Sequence, residues 1–198
     1  MSGAFIVFEG IDGVGKTTVS RKVAEELESR GMRVKVTAEP THEGIGAFIR
    51  SGSSGPISQK TEALLFVADR NDHTEKMMDW VSEGYIVLCD RYFSSTVAYQ
   101  SAKLDGDSTD FDWLLEINRQ FIEGPDLTVL LDMDPHDSMR RVGVRGEEVS
   151  KFERIDFLEQ VRSNYLSLAS RYGFKVIDAN MDADSVFKCV MEKIEEVV

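Results

Sequence analysis

Cysteine is rare in this chain of 198 residues, and the chain has no long apolar run. The two cysteines, Cys89 and Cys189, lack the paired spacing of a zinc site or a redox motif, so we expect two buried thiols, with a disulfide as the alternative. No apolar run approaches the roughly 18 residues that a membrane-spanning helix needs. The chain begins directly with strand-like sequence, which indicates no signal peptide and favours a cytoplasmic protein.

Positive charge and histidine are also in short supply. The sequence has 23 Lys and Arg against 35 Asp and Glu, and the formal net charge of -12 argues against a nucleic-acid partner. A polyanionic substrate must then be small, and local clusters of basic residues must bind it. His42, His73 and His136 have no second ligand at helical spacing, so we expect surface or turn residues rather than metal ligands.

The segment from Phe8 to Thr18, FEGIDGVGKTT, matches the P-loop pattern G-x-x-x-x-G-K-[ST] in full. Its glycines allow backbone conformations that are closed to residues with a Cβ atom, so successive N–H groups can point at one anion. In such a loop Lys16 reaches the β- and γ-phosphates of a nucleotide, and the Thr17 hydroxyl is a ligand of Mg²⁺. The predicted ATP-binding residues of the loop are Gly10, Ile11, Asp12, Gly13, Val14, Gly15, Lys16, Thr17 and Thr18.

Apolar runs and helical patterns alternate along the whole chain. An apolar strand at 4–8 precedes the P-loop, and a helical pattern at 16–30 follows it. Further strands are predicted at 33–37, 85–90, 127–132 and 174–178. Helices are predicted at 46–50, 59–83, 94–103, 110–122, 134–142, 152–172 and 182–198. This alternation predicts an α/β fold, a doubly wound five-stranded parallel sheet with helices on both faces, in a single domain spanning 1–198.

Asp90 and Arg91 follow one another at the end of the third predicted strand. A carboxylate at the carboxyl edge of a parallel sheet can hold Mg²⁺ opposite Thr17, and the alternative for Asp90 is an N-cap of the next helix. Arg91 can place its guanidinium between donor and acceptor phosphates, and the alternative is an ordinary surface ion pair. The sequence therefore predicts Thr17 and Asp90 as magnesium ligands, and Lys16 and Arg91 as catalytic cations.

Seven segments of the chain resemble, in the same order, the motifs of thymidylate kinases. They are FEGIDGVGKTT, Glu39-Pro40, LFVADR at 65–70, DRY at 90–92 with Ser94-Ser95, AYQ at 98–100, PDL at 125–127, and VR at 161–162 with YL at 165–166. FEGID joined to DRY and AYQ is far more specific than a P-loop alone. The resemblance implies a kinase that transfers the γ-phosphoryl group of ATP to dTMP, giving dTDP, with strand order 2-3-1-4-5 and usually a homodimer.

The same resemblance implies roles for individual residues. Phe66 would stack on the thymine ring, although a phenylalanine in a helix is more often a core residue, and Arg70 would hydrogen-bond the edge of the base. Asp12 would bind the 3′-hydroxyl, and Tyr99 would crowd the 2′ position and so favour deoxyribose. Arg91 would clamp the dTMP phosphate. The full set of predicted substrate-binding residues is Asp12, Arg50, Phe66, Arg70, Arg91, Ser95, Thr96, Tyr99 and Gln100.

Ala38 is the first departure from the family pattern. Thymidylate kinases often have an arginine directly before Glu-Pro, where this chain has Ala38. One phosphate contact must therefore come from elsewhere or be absent. Arg50 is a weaker candidate than Arg91 for holding the dTMP phosphate.

The glycine at position 13 is the second departure, because one branch of the family carries a catalytic arginine inside the P-loop. The basic group is then expected from a lid at about 140–154, which resembles the lid of the other branch. Its candidates are Arg145, Lys151 and Arg154, of which the first two are favoured as catalytic, and the alternative for each is a solvated charge. Arg141 resembles an arginine that stacks on adenine.

Two other functions are compatible with a P-loop. A deoxynucleoside kinase, a related fold that also has Glu-Pro after its second strand, would use Glu39 to deprotonate a 5′-hydroxyl. The Asp90-Arg-Tyr motif and the missing aromatic residue after Glu-Pro argue against it. A GTPase-like switch is typically marked by an Asn-Lys-x-Asp guanine motif, and the sequence contains none.

Overall fold

The strands of the described part of the chain form a parallel sheet. The computed structural model describes residues 3–52, 55, 57–102, 108–144 and 155–198. In these ranges the strands are β1 (Ala4–Glu9), β2 (Val34–Ala38), β3 (Ile86–Asp90), β4 (Leu127–Asp132) and β5 (Lys175–Asp178). Their order is β2-β3-β1-β4-β5, and every neighbouring pair is parallel, with Phe8 of β1 opposite both Asp90 and Val129. The predicted sheet and its strand order are confirmed.

Helices connect the strands as the sequence predicts, with ends that differ by a few residues because the last turns of helices are weakly held. In the described ranges they are α1 (Lys16–Ser29), α2 (Gly44–Arg50), α3 (Gln59–Ser82), α4 (Phe93–Gln100), α5 (Phe111–Arg119), α6 (Pro135–Val144), α7 (Ile155–Tyr172) and α8 (Ala183–Ile194). Helices α1 and α8 contact each other, and α4 contacts α3, α5 and α7. None of the helices in these ranges is both long and apolar enough to cross a bilayer.

Coverage of the sheet is complete over the central strands and thinner at its two edges. Every residue of β1 is buried, and β3 and β4 are buried up to their last residues, Asp90 and Asp132. On the edge strands, Val36 of β2 and Val176 of β5 keep 55% and 49% of their surface exposed. An edge strand has only one neighbouring strand, so the helices that cross the centre of the sheet leave part of its surface open.

The carboxyl ends of the strands meet at one edge of the sheet, and the P-loop begins there by joining β1 to α1. Gly10 has a φ of 140° and Gly13 a φ of 83°. A Cβ atom at Gly10 would lie 2.4 Å from the carbonyl oxygen of Leu131, and one at Gly13 would lie 2.7 Å from that of Ser138. The loop backbone therefore packs directly against β4 and α6, which only glycine permits.

One histidine contradicts the sequence-based expectation. His42 and His136 are exposed, as predicted, but His73 is 4% exposed, so its prediction as a surface or turn residue was wrong. His73 lies on the face of α3 that also buries Arg70 and Met77, because residues three and four apart share one face of a helix. Because Arg70 and His73 are polar, the hydrophobic pattern of the sequence did not indicate that this face is buried.

The two cysteines are free thiols, which removes the disulfide alternative. Cys89 is buried in β3, as predicted. Cys189 in α8 is only half-buried, so the expectation of a buried thiol is confirmed for Cys89 and wrong for Cys189. The difference arises because β3 is an inner strand of the sheet, whereas α8 lies on its surface.

Asp110 provides a test of the local signals that set helix boundaries. Its carboxylate caps α5 by accepting a hydrogen bond from the N–H of Trp113 at 2.7 Å. Asp110→Ala should destabilise the protein by about 1 kcal/mol and lower Tm by about 2–4 °C in calorimetry or denaturant unfolding. Asp110→Asn keeps an acceptor and should stay close to the parent protein, so equal losses in both variants would contradict the capping role.

Candidate active site

Lys16 is held at the base of the P-loop by backbone carbonyl groups. Its Nζ donates to the carbonyl oxygens of Gly10 and Ile11, both at 2.9 Å, and the residue is 6% exposed. Burial, and after it the neighbouring cation of Arg91, lowers the pKa of Lys16 to about 8. The P-loop, Asp90 and Arg91 line one wall of a cavity of about 570 Å³, here named the phosphate cavity. The cavity is also lined by Ala38, Glu39, Pro40, His42 and Arg50.

Thr17 and Asp90 meet across the floor of the phosphate cavity. The Thr17 hydroxyl donates to Asp90 Oδ2 at 2.7 Å, which brings the start of α1 to the end of β3. The other carboxylate oxygen, Asp90 Oδ1, is buried and has no hydrogen-bond partner among the residues that the structure describes. Burying a carboxylate oxygen without a hydrogen-bond partner costs free energy, which a bound cation would offset. The Thr17 hydroxyl beside it would be a second oxygen ligand for such a cation.

Arg91 stands where the phosphate cavity meets a second cavity. It has a φ of 73°, which is unusual for a residue other than glycine, and the turn directs its guanidinium back over the P-loop. The guanidinium forms an ion pair with Asp12 and donates to Ser95 Oγ at 3.1 Å and Tyr165 OH at 3.3 Å. Burial alone would lower the pKa of Arg91, but the adjacent Asp12 carboxylate outweighs it and raises that pKa well above its usual value.

Asp12 is the partner of Arg91 on the P-loop side. Burial alone would raise the pKa of its carboxyl, but Arg91 and then Lys16 outweigh this effect and hold the pKa below its usual value. The carboxylate therefore stays ionised at neutral pH. Its backbone carbonyl accepts a hydrogen bond from the Ser138 hydroxyl, which fastens the loop to α6.

The second cavity, of about 230 Å³, is here named the acceptor cavity. Every substrate-binding residue predicted from the sequence lines it except Arg50. The two cavities share Asp12, Glu39, Pro40 and Arg91, so they adjoin one another. The residues that line the acceptor cavity are Asp12, Glu39, Pro40, Glu62, Phe66, Arg70, Arg91, Tyr92, Ser95, Thr96, Tyr99 and Gln100.

Arg70 is the most deeply buried cation of the acceptor cavity, with 1% of its surface exposed. Its Nε donates to Glu39 Oε2 at 2.8 Å, and its terminal nitrogens donate to Asn118 Oδ1 and to Thr96 Oγ1. The other oxygen of Glu39 lies 3.0 Å from His73 Nδ1. The guanidinium therefore has a fixed plane, and Phe66 lies one helical turn before it on α3.

Glu9 lies behind the acceptor cavity and carries a hydrogen-bond network. It is 0% exposed and accepts from the hydroxyls of Ser94 and Ser95 at 2.6 Å and from that of Tyr165 at 3.0 Å. Burial raises the pKa of its carboxyl, although these hydrogen bonds act in the opposite direction. Through this network α4 and α7 are tied to the last residue of β1.

Arg50 lies on the phosphate side of the site rather than in the acceptor cavity. Its Nε donates to the carbonyl oxygens of Pro40 at 2.8 Å and Thr41 at 3.1 Å. Burial lowers its pKa from the usual value. Arg50, the last residue of α2, thus lines the phosphate cavity.

Arg141 lies on the outer side of the P-loop. It lines a cavity of about 680 Å³ together with Gly13, Thr18 and the segment 179–183, and it donates to the carbonyl oxygen of Ala179 at 3.1 Å. This cavity adjoins the P-loop on the side away from the acceptor cavity. The other predicted lid residues, Arg145, Lys151 and Arg154, lie outside the described residues.

Glu39, His73 and Cys89 form a possible metal-binding group, with one ligand atom of each within 4.8 Å of the others. Their chemistry fits a metal less well than Thr17 and Asp90 do. Both ring nitrogens of His73 have hydrogen-bond partners, and burial raises the pKa of the Cys89 thiol well above its usual value. A protonated thiol and an engaged imidazole are poor ligands.

Comparison with known proteins assigns the chain to a family. The family model described as thymidylate kinase matches residues 8–190. The chain belongs to the thymidylate kinase family. It is 44% identical to a probable thymidylate kinase of Pyrococcus horikoshii, over 87% of this chain and 85% of that protein. It is 40% identical to a probable thymidylate kinase of Thermococcus kodakarensis, over 98% of each chain, and 40% identical to a thymidylate kinase of Xanthomonas oryzae pv. oryzae, over 94% and 80%.

Sequence reasoning missed several polar residues of this thymidylate kinase site. Glu39 was considered only as a base, and Glu9, His73, Asn118 and Tyr165 received no individual role. A signal existed for His73, because its spacing of three from Arg70 on one helix predicts a shared face. For Asn118 the sequence offers no such signal. For Tyr165 it offers only the family motif at 165–166, which does not indicate its partner Glu9 on another element.

The pKa of Lys16 predicts how ATP binding should vary with pH. Lys16 is charged below about pH 8, and the phosphates of ATP bind the charged form. Between pH 7 and pH 9.5 free Lys16 loses its proton, whereas bound phosphates raise its pKa and keep it charged. Binding at high pH must therefore take up a proton, and ATP affinity, measured by calorimetry without added metal, should fall roughly tenfold or more over this range. Lys16→Ala should bind weakly and without this pH dependence. An affinity that stays constant up to pH 9.5 in the parent protein would contradict the lowered pKa.

Proposed function

We propose that this protein transfers the γ-phosphoryl group of ATP to dTMP, giving dTDP and ADP. The observation that carries the proposal is the meeting of two cavities at Asp12 and Arg91. One cavity is walled by the P-loop, and the other by residues that match the nucleoside-binding motifs of thymidylate kinases. Membership of the family supplies the substrate class, since its relatives are named thymidylate kinases.

Within the acceptor cavity, Phe66 and Arg70 are proposed to recognise the base. An aromatic ring and a guanidinium of fixed plane together suit a flat heterocycle with hydrogen-bonding edges. Asp12 is proposed to bind the 3′-hydroxyl, and Tyr99 to crowd the 2′ position. The remaining members of the proposed substrate set are Arg50, Arg91, Ser95, Thr96 and Gln100.

Mg²⁺ is proposed as the cofactor, with Thr17 and Asp90 as the residues that would hold it. The fit rests on the donor set: a hydroxyl and a carboxylate lie 2.7 Å apart, and one carboxylate oxygen is buried without a partner among the described residues. Oxygen ligands of this kind are those that Mg²⁺ prefers. When bound, the ion would neutralise phosphate charge during transfer.

The chemistry requires positioning rather than a general base. An acceptor phosphate has a second pKa near 6, so it is already largely ionised at neutral pH. The residues of the site then have to align the two phosphates and neutralise their charge. Lys16 is proposed to hold the donor phosphates, and Arg91 to lie between donor and acceptor. Lys16 is buried and the Arg91 side chain is 19% exposed, so both cations are shielded from most of the water that would weaken their interaction with phosphate.

Glu39 has little freedom to act as the base of a deoxynucleoside kinase. Its Oε2 pairs with Arg70 at 2.8 Å, and its Oε1 lies 3.0 Å from His73. Both oxygens are therefore engaged by protein groups rather than free to contact a 5′-hydroxyl. Nothing in the comparisons favours that alternative. A homodimer, a cytoplasmic location and a single domain with a lid stay predictions.

The acceptor is identified by a coupled assay of ADP release across nucleoside monophosphates and thymidine. We expect dTMP to give the fastest turnover, because Phe66 is proposed to stack on the base and Tyr99 to crowd the 2′ position. Lys16→Ala should be inactive and serves as the control for contaminating kinases. Turnover with thymidine and none with dTMP would establish the deoxynucleoside kinase instead.

The lid provides a second test of the proposed mechanism. Arg145→Ala combined with Lys151→Ala should lower kcat with dTMP by about 10³ or more, because these are the cations proposed to stabilise charge on the transferred group. Binding of dTMP, measured by calorimetry, should change little. Arg154→Ala is the matched control and should have a smaller effect. Unchanged turnover in the double variant would refute a catalytic role for the lid.

A further inference from the structure

A chain of hydrogen bonds runs behind the acceptor cavity from β2 to Arg70. His73 Nε2 lies 2.7 Å from Thr37 Oγ1, and His73 Nδ1 lies 3.0 Å from Glu39 Oε1. Glu39 Oε2 in turn accepts from Arg70 at 2.8 Å. His73, Glu39 and Arg70 are 4%, 4% and 1% exposed, so the chain is shielded from water.

Each oxygen of the Glu39 carboxylate has a different partner, and this division fixes its rotation. Both Nε and one terminal nitrogen of Arg70 lie 2.8 Å from the same oxygen, Oε2. His73 holds the other oxygen, Oε1. Without His73 the carboxylate could turn about its last carbon–carbon bond. The guanidinium would then lose its fixed partner on the Glu39 side and depend on Asn118 and Thr96 for its orientation. Buried ion pairs are sensitive to such geometry because no water compensates a lost contact.

The position of His73 separates it from the ligand. Arg70 and Glu39 line the acceptor cavity, whereas His73 lines a neighbouring cavity with Thr37, Asp69 and other residues on the far side of Glu39. The His73 ring makes hydrogen bonds with Thr37 and Glu39, and the Cys89 thiol lies within 4.8 Å of it. An effect of His73 on the acceptor must therefore pass through Glu39 and Arg70.

We propose that His73 is a positioning residue for recognition of the pyrimidine, acting by holding Glu39 so that Arg70 presents its guanidinium to the base. The proposal rests on the proposed function, because it takes the acceptor cavity to hold a pyrimidine nucleotide. The phosphates are proposed to be held elsewhere, by Lys16 and Arg91, which line the phosphate cavity. Loss of the His73 contact should therefore weaken dTMP binding and leave ATP binding and the transfer step nearly unchanged.

Two amide substitutions separate the two nitrogens of His73. In His73→Asn the amide nitrogen takes roughly the place of Nδ1, so it can still donate to Glu39 but loses Thr37. In His73→Gln it takes roughly the place of Nε2, so the contact with Thr37 stays and the contact with Glu39 is lost. Thr37→Val removes the Thr37 hydroxyl with little change in shape and is the matched control for that end of the chain.

The test is steady-state kinetics with dTMP and ATP, together with calorimetric binding of dTMP and thermal unfolding of every variant. His73→Gln should raise KM and Kd for dTMP roughly tenfold, with kcat and KM for ATP within about twofold, since a lost hydrogen bond to a charged group is of this size. His73→Asn and Thr37→Val should keep KM for dTMP within about threefold of the parent protein.

Four results would overturn the inference. Equal effects of His73→Asn and His73→Gln on KM, or losses in kcat that follow the loss of Tm, would mean that the residue only supports the fold. An unchanged KM for dTMP in a stable His73→Gln variant would mean that Glu39 needs no help from the imidazole. A parent protein that phosphorylates other monophosphates but not dTMP would instead refute the proposed function, and the inference with it.

Discussion

The ion pair between Arg91 and Asp12 joins the two halves of the site. Arg91 comes directly after β3 and Asp12 lies in the loop after β1, so the pair crosses the carboxyl edge of the sheet between neighbouring strands. The left-handed backbone of Arg91 turns its side chain toward the loop, and Ser95 and Tyr165 hold it there. An anion that enters either cavity meets this guanidinium. The anion then competes with the Asp12 carboxylate for the hydrogen bonds of Arg91.

The cations of the site are needed because the protein as a whole is strongly negative. A chain with a net charge of -12 must bind two highly anionic nucleotides. Two of its inner cations are each placed against a carboxylate, Arg91 against Asp12 and Arg70 against Glu39, so that neither charge is buried alone. Such pairs keep the cations oriented before the ligand binds. The side chains then need less reorganisation as charge develops during phosphoryl transfer. The acidic surface then matters less than the local field inside the cavities.

Much of the fold could be predicted because its signals are local. The apolar run of β1, the glycines of the P-loop and the amphipathic pattern of α1 lie within one stretch of sequence, and each follows from backbone geometry or from periodic burial. The same logic was incomplete at the edges of the sheet. Val36 lies in a strand-like sequence yet stays half exposed, since burial there depends on which elements cover the edge. The prediction from polarity was wrong for His73, because a polar side chain is expected on the surface and this one lies on a buried face of α3.

By itself the sequence determined the order of strands and helices, the phosphate-binding loop and, through its family motifs, the residues that line the acceptor cavity. The tertiary structure alone decided the partners of the buried polar groups: His73 meets Glu39 across 34 residues of sequence, and Tyr165 meets Glu9 across 156. The physical reason is that periodicity records whether a side chain is buried, whereas a hydrogen bond between distant residues depends on how separate elements pack, which no local pattern encodes.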